Sequence, residues 1–155
     1  MHRNDVDHGV GKMSLETVVG RPPLVLLVDP VVASRHWMWR GMSRAFGVIE
    51  AGSVESARDW MTRRPDIDAL VVEDELPDGR GGELVRDLEA AHHRVASRSI
   101  VLARPGLEWT RMASAGATLI ERGDLRAVLS KLAGWFLTRD VWVARALVRE
   151  ADRRN

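Results

Sequence analysis

The chain has 155 residues, of which 45% are hydrophobic and 29% are charged, and its formal net charge is +1. This composition is typical of one globular domain and gives no general attraction to nucleic acid or to a membrane surface. The absence of cysteine excludes disulfides, thiolate catalysis and cysteine-based metal sites.

The N-terminal segment, residues 1–23, is polar, lacks periodicity and ends in Arg21-Pro22-Pro23. It contains no apolar signal core, and no run in the chain approaches the roughly 20 apolar residues that span a bilayer. We therefore expect a flexible leader and a cytoplasmic protein.

From residue 24 onward, apolar runs of strand length alternate with segments of helical spacing. The predicted strands are 24–29, 47–51, 69–73, 99–103 and 117–120, and the predicted helices are 33–46, 53–61, 82–92, 107–115 and 124–136. The continuous runs suit strands that are buried on both faces, and short alternating units indicate a parallel sheet with helices on each side. The prediction is an α/β domain over residues 24–136, with a doubly wound five-stranded parallel sheet.

A further segment, residues 137–155, follows this domain. It carries an apolar stripe that includes Trp142, and arginines line the remainder. This pattern predicts a C-terminal helical extension, which either packs on its own domain or serves as a dimerisation or partner helix.

The stretch LVVEDELPDG, residues 70–79, places three consecutive acids at the end of the third predicted strand. In parallel sheets, sites form at the carboxyl ends of the strands, and Asp29 follows the first strand in the same way. The acids are either a solvated loop or part of a site. Acids that meet at one strand end repel each other unless cations pair with them.

The order and landmarks of these segments resemble the receiver domain of bacterial response regulators, which has a flavodoxin-like fold. The landmarks are LLVDP (26–30), the strand-end acid four residues before Pro77, the glycines 81 and 82 that open the third helix, and AGA (115–117). The resemblance implies that a strand-end aspartate accepts a phosphoryl group and that two acids after the first strand hold Mg²⁺. It also implies that a Thr or Ser and a Lys, each at a strand end, bind the phosphate.

The chain departs from that pattern at nearly every one of these positions. Glu73 stands at the nucleophile position, Pro30 replaces the second acid beside Asp29, Ala103 replaces the Thr or Ser, and Arg122 lies near the position of the Lys. We therefore interpret Asp29, Glu73, Asp74, Ala103 and Arg122 as a relict phosphoacceptor pocket. No cofactor is predicted; Asp29 and Glu73 are the remaining candidates for weak Mg²⁺ binding, which is not expected. The expected partners of the acids are Arg122 and Arg104, and a Glu73–Arg122 ion pair could hold the domain in one state.

These departures predict a non-enzymatic signalling protein, a pseudo-receiver of a two-component or related pathway that acts by protein–protein interaction. Two alternatives remain open at this point. One is an atypical receiver that is phosphorylated on Asp74 or Glu73. The other is a dimeric regulator that binds DNA through its arginine-rich tail, although the near-neutral charge makes a nucleic-acid partner unlikely.

The predicted partner is a histidine kinase, a phosphotransfer protein or another signalling protein, with a homodimer also possible and no membrane involvement. On the first helix, Trp37 shares its side with Arg40 and Arg44, and an exposed Trp among arginines is typical of a binding hot spot. Trp109 and Trp142 mark a second predicted partner surface.

Overall fold

The computed structural model describes residues 21–106 and 117–136 of the chain. Their strands, in chain order, are β1 (Leu24–Val28), β2 (Gly47–Ala51), β3 (Ala69–Glu73), β4 (Glu75–Leu76), β5 (Gly79–Arg80), β6 (Ser99–Ala103) and β7 (Thr118–Glu121). Five of them form one sheet in the order β2-β1-β3-β6-β7, in which every pair is parallel. The predicted five-stranded parallel sheet is confirmed, and its strands begin and end within one residue of the predicted positions.

The described helices are α1 (Val32–Met42), α2 (Val54–Arg63), α3 (Gly81–Ala90) and α4 (Leu125–Phe136). A short 3₁₀ helix at Arg94–Arg98, which the sequence pattern did not predict, leads into β6. Ser53 is the N-cap of α2, as predicted, and its side chain accepts a hydrogen bond from the backbone N–H of Ser56 at 3.1 Å. The predicted helix 107–115 and the predicted extension 137–155 lie outside the described residues.

The side chains of the central strands alternate between two apolar clusters, because successive strand residues point to opposite faces of a sheet. Leu26, Leu70 and Val101 belong to the cluster that also contains residues of α2 and α3. Val71 and Ile100 belong to the other cluster, which contains residues of α1 and α4. Helices therefore cover both faces, and β1, β3 and β6 are buried between them.

The first helix is shorter than the predicted range of 33–46. It ends at Met42, and the chain then turns so that Phe46, which is 4% exposed, enters the core. The backbone N–H of Phe46 donates to the carbonyl of Met42 at 3.0 Å within this turn. The prediction was wrong here because the apolar residues of the turn continue the helical spacing. Arg44, assigned to the helix beside Trp37, lies in the turn instead.

Within the described residues, no helix is long and apolar enough to cross a membrane.

Candidate functional site

The carboxyl ends of three strands bring Asp29, Glu73 and Arg122 to one edge of the sheet. Asp29 directly follows β1, Glu73 is the last residue of β3, and Arg122 follows β7. Together with Pro30, Val31, Ser34 and Glu75 they line one cleft of about 200 Å³. A parallel sheet places such residues together because all of its strands end at the same edge.

Glu73 is a buried acid of this cleft, and an arginine pairs with it. Its side chain is 3% exposed, and the Nε of Arg122 donates to its Oε2 at 2.8 Å. The Nη2 of Arg122 lies 3.9 Å from Glu75, whose side chain is 62% exposed. The ion pair expected between Glu73 and Arg122 is therefore present, and it connects β3 to the turn after β7.

Burial nevertheless has the largest effect on the pKa of Glu73. Its pKa is raised to about 7: burial makes the largest contribution, Arg122 lowers the pKa, and the charges of Asp29 and Glu75 raise it. One guanidinium thus offsets only part of the cost of holding a negative charge here. Near neutral pH, Glu73 changes its charge easily.

Asp29 is 1% exposed, and its two carboxylate oxygens differ in their contacts. Oδ1 accepts a hydrogen bond from the backbone N–H of Val31 at 2.9 Å, just before α1 begins. Oδ2 is buried and has no hydrogen-bond partner. The backbone carbonyl of Asp29 accepts from Nη1 of Arg35 at 2.9 Å, so that arginine is directed to the backbone and not to the carboxylate.

Asp74 is also buried, but its carboxylate is not among the groups that line the cleft. It forms an ion pair with Arg80, and its Oδ1 accepts from the backbone N–H of Gly82 at 3.1 Å. It therefore stabilises the N-terminus of α3, where a negative charge is favourable. Glu73 and Asp74 point in different directions, one into the cleft and the other to Arg80, because side chains of consecutive residues at a strand end alternate.

The sequence analysis did not identify Arg80 as the partner of Asp74. Strands β4 and β5 form an antiparallel hairpin in which Glu75 pairs with Arg80, and this hairpin returns the chain to Asp74. The sequence Pro77-Asp78-Gly79 is a turn signal that could have indicated it. Asp78 also accepts from the backbone N–H groups of Val54 and Glu55 at 2.8 and 2.9 Å, which attaches the hairpin to α2.

Ala103 ends β6 and is 3% exposed. Its carbonyl accepts from the backbone N–H of Arg122 at 3.1 Å, which positions the arginine beside the cleft. An alanine provides no hydroxyl at this strand end.

The cleft does not fit the Mg²⁺ that the receiver resemblance implies. Among residues 21–106 and 117–136, no three His, Cys, Asp or Glu side chains converge in a way that could hold a metal ion. Pro30 has no carboxylate, and the guanidinium of Arg122 is already bonded to Glu73. Mg²⁺ requires nearly octahedral oxygen ligands at about 2.0–2.1 Å, and a glutamate held by an arginine cannot adjust freely to that geometry.

Three large apolar side chains at the start of α1 and along it are exposed, and one of them lines the cleft. Val31, Val32 and Trp37 are exposed by 57%, 67% and 51%, whereas Trp39 is partly buried against the core. Val31 also lines the cleft, and Trp37 lies about one turn further along α1 than Ser34. Arg40 is exposed in the last turn of α1. Trp109 and Trp142 lie outside the described part of the chain.

Known structures of similar architecture are receiver domains. A response regulator receiver protein from Pseudomonas putida matches with a TM-score of 0.64 and 22% identity, covering 74% of this chain and 98% of that one. A CheY-like receiver domain protein from Methanospirillum hungatei matches with a TM-score of 0.65 and 18% identity, covering 74% and 94%. The fold is that of a response-regulator receiver domain.

A third receiver-type match comes from the CheX–CheY–BeF₃–Mg²⁺ complex of Borrelia burgdorferi. Its TM-score is 0.66 at 22% identity, and the match covers 79% of this chain and 95% of that one. No protein-family model matches the sequence. No curated protein matches it significantly. At these identities the likeness establishes the receiver fold.

Proposed function

We propose that this chain is a pseudo-receiver: a cytoplasmic, non-enzymatic signalling protein of a two-component or related pathway, which acts by binding another protein. It does so without phosphorylation of an aspartate in its cleft. The observation that supports this proposal is the ion pair between Glu73 and Arg122 at the carboxyl end of β3.

The length of Glu73 is the first reason. Glutamate is one methylene longer than aspartate, on the order of 1.5 Å, and a displacement of about 1 Å can remove most of the advantage of positioning. The second reason is its partner, because a carboxylate bonded to a guanidinium is a poor nucleophile. The charge that a bound metal would neutralise is already neutralised in part by Arg122.

The alternative acceptor, Asp74, is placed poorly for this chemistry. Its carboxylate is bonded to Arg80 and to the start of α3, and it does not line the cleft. Attack by this group would require the loss of the contacts that hold the hairpin and α3. The arginine-rich tail of the DNA-binding alternative lies outside the described residues.

Binding to a partner protein is supported by the surface beside the cleft. An exposed tryptophan, two exposed valines and Arg40 occupy one end and one side of α1. Tryptophan and arginine are enriched among residues that dominate binding energy. The partner class that we propose is a histidine kinase, a phosphotransfer protein or another signalling protein.

Intact-mass spectrometry after incubation with acetyl phosphate and Mg²⁺ tests the proposal. We expect no gain of a phosphoryl group, while a receiver domain with a strand-end aspartate, treated in parallel, gains one. The variants Glu73→Gln and Asp74→Asn identify the acceptor if an adduct forms. An adduct that one of them abolishes would replace this proposal with that of a phosphorylated regulator.

A further inference from the structure

The charge of the cleft is not balanced by the residues that line it. Asp29, Glu73 and Glu75 contribute three carboxylates, and Arg122 contributes one guanidinium. Arg35 on α1 donates from Nη1 to the carbonyl of Asp29, and its Nε lies 3.3 Å from the carboxylate of Glu50 as an ion pair without a hydrogen bond. Among the residues that line the cleft, three carboxylates therefore face one guanidinium when all acids are ionised.

Asp29 provides a second, independent indication of a ligand. It is 1% exposed and lines the cleft, yet its Oδ2 has no hydrogen-bond partner. Buried carboxylate oxygens are almost always hydrogen-bonded, because an unsatisfied one loses its hydration without compensation. Its other oxygen is bonded to the backbone N–H of Val31, which fixes the orientation of the carboxylate. Oδ2 is thus a buried acceptor without a donor, on a residue that lines the cleft, and the Nε of Arg35 is likewise buried without a hydrogen bond.

The surroundings of the cleft indicate what kind of donor would approach. Val31 is both a lining residue and 57% exposed, and Trp37 is 51% exposed on the same helix. Exposed apolar side chains beside a charged recess are typical of a protein-binding surface. A free metal ion or a small amine would gain nothing from these apolar groups.

We propose that the cleft is a docking site for the lysine or arginine side chain of a partner protein, whose neighbouring apolar residues pack on Val31 and on Trp37. The cation donates a hydrogen bond to the exposed carboxylate of Glu75 and, once the side chains that cover it move aside, a second one to Asp29 Oδ2. A single positive charge on a flexible stem can reach these oxygens without the octahedral ligand set that Mg²⁺ requires. The inference rests on the proposed function, since it names the chemistry of the partner at the same site.

Protonation of Glu73 provides a readout that a merely apolar contact would lack. Burial raises its pKa to about 7, and a cation beside it favours the ionised form. The groups that face it are Asp29, Glu75 and Arg122. If the cation requires ionised Glu73, its affinity falls about tenfold from pH 8 to pH 6, because about nine tenths of Glu73 is protonated at pH 6.

The first test uses n-butylammonium as the lysine probe, with n-butyrate as the matched anion, at low salt on the ¹⁵N-labelled full chain. We expect the backbone resonances of Val31 and Glu75 to shift saturably with the amine and not with butyrate. Asp29→Asn should weaken the amine at least fivefold, whereas Asp59→Asn, an exposed carboxylate on α2, should not. Equal shifts by amine and butyrate, or equal affinity in Asp29→Asn, would overturn the proposal.

A second arm tests the apolar half of the surface. Two alanine-based helical peptides each carry one lysine and one phenylalanine. The phenylalanine lies four residues before the lysine in the first peptide and four residues after it in the second. At least one should bind tenfold or more tightly than butylammonium, and Trp37→Ala should remove that gain while leaving the amine unaffected. If neither peptide exceeds the amine, or if Mg²⁺ saturates the same resonances at millimolar concentration, the cleft is an ion site and not a protein-docking site.

The two proposals fail separately. A phosphoryl adduct would overturn the proposed function whatever the amine does. An absence of amine binding in a protein that forms no adduct would overturn only the docking site.

Discussion

The most direct consequence of the cleft is an unusual pH dependence of stability, which the substitution Glu73→Gln isolates. In the folded protein the pKa of this carboxyl rises from 4.5 to about 7, mainly through burial. Between these values the folded protein holds a proton at Glu73 that the unfolded chain has released. The folded state therefore binds more protons, and its stability falls as the pH rises through this window.

The magnitude follows from the size of the pKa change. At about 1.4 kcal/mol for each pH unit, a fully ionised Glu73 costs the folded state roughly 3 kcal/mol relative to the protonated form. Most of this cost, roughly 2 to 3 kcal/mol, appears between pH 5 and pH 8. It is a large part of the roughly 5–15 kcal/mol by which domains are stable.

Glutamine has nearly the same shape as the protonated glutamate and does not titrate. Urea denaturation at pH 5 and at pH 8 gives the free energy of unfolding of Glu73→Gln and of the wild type. The difference, variant minus wild type, should rise by roughly 2 to 3 kcal/mol from pH 5 to pH 8. Glu75→Gln, which removes an exposed carboxylate from the same cleft, is the matched control and should show a much smaller change. A difference for Glu73→Gln that is constant within about 0.5 kcal/mol would refute the reasoning from burial.

Three further substitutions test the contacts around the cleft and the elements that build it. Arg122→Ala leaves Glu73 without its partner, so the free energy of unfolding should fall by roughly 2 to 3 kcal/mol at pH 8 and by much less at pH 5; an equal loss at both pH values would contradict the ion pair. Gly81→Ala adds a Cβ that overlaps the carbonyl of Glu73 and should cost roughly 1–3 kcal/mol, whereas Gly134→Ala, in open space on α4, should be neutral or slightly stabilising in the same thermal melts. Ser53→Ala removes the cap of α2 and should cost about 1 kcal/mol in urea titrations, which Ser53→Asp should restore.

Local sequence signals were sufficient to predict most of the strands and helices. The strands at 47–51 and 69–73 were predicted with the bounds that the structure has, because fully buried strands in a parallel sheet are continuous apolar runs. Ser53 marked the start of α2, and the glycine pair at 81–82 marked the start of α3, for reasons of capping and close approach that act within a few residues. The order of these elements was enough to predict a parallel sheet with helices on both faces.

Local signals failed where a contact from elsewhere in the chain decided the outcome. The first helix was predicted to reach residue 46, but it ends at Met42 because Phe46 is more stable in the core than on a continued helix. The pattern cannot contain this information, since the core that receives Phe46 is assembled from β1, β3 and α4.

Local patterns in the sequence were therefore enough to predict which groups meet at the edge of the sheet: Glu73 ends one strand of a parallel sheet, and Asp29 and Arg122 each follow another strand of it. The same patterns assigned Glu73 to the nucleophile position but left Asp74 open as an alternative acceptor, because a shift of one residue at a strand end exchanges the two directions. Only the tertiary structure directed Glu73 into the cleft with Arg122, and Asp74 to Arg80 and α3. It also decided the burial that raises the pKa of Glu73 and leaves Asp29 Oδ2 without a partner, because the solvent around a carboxylate depends on everything packed against it.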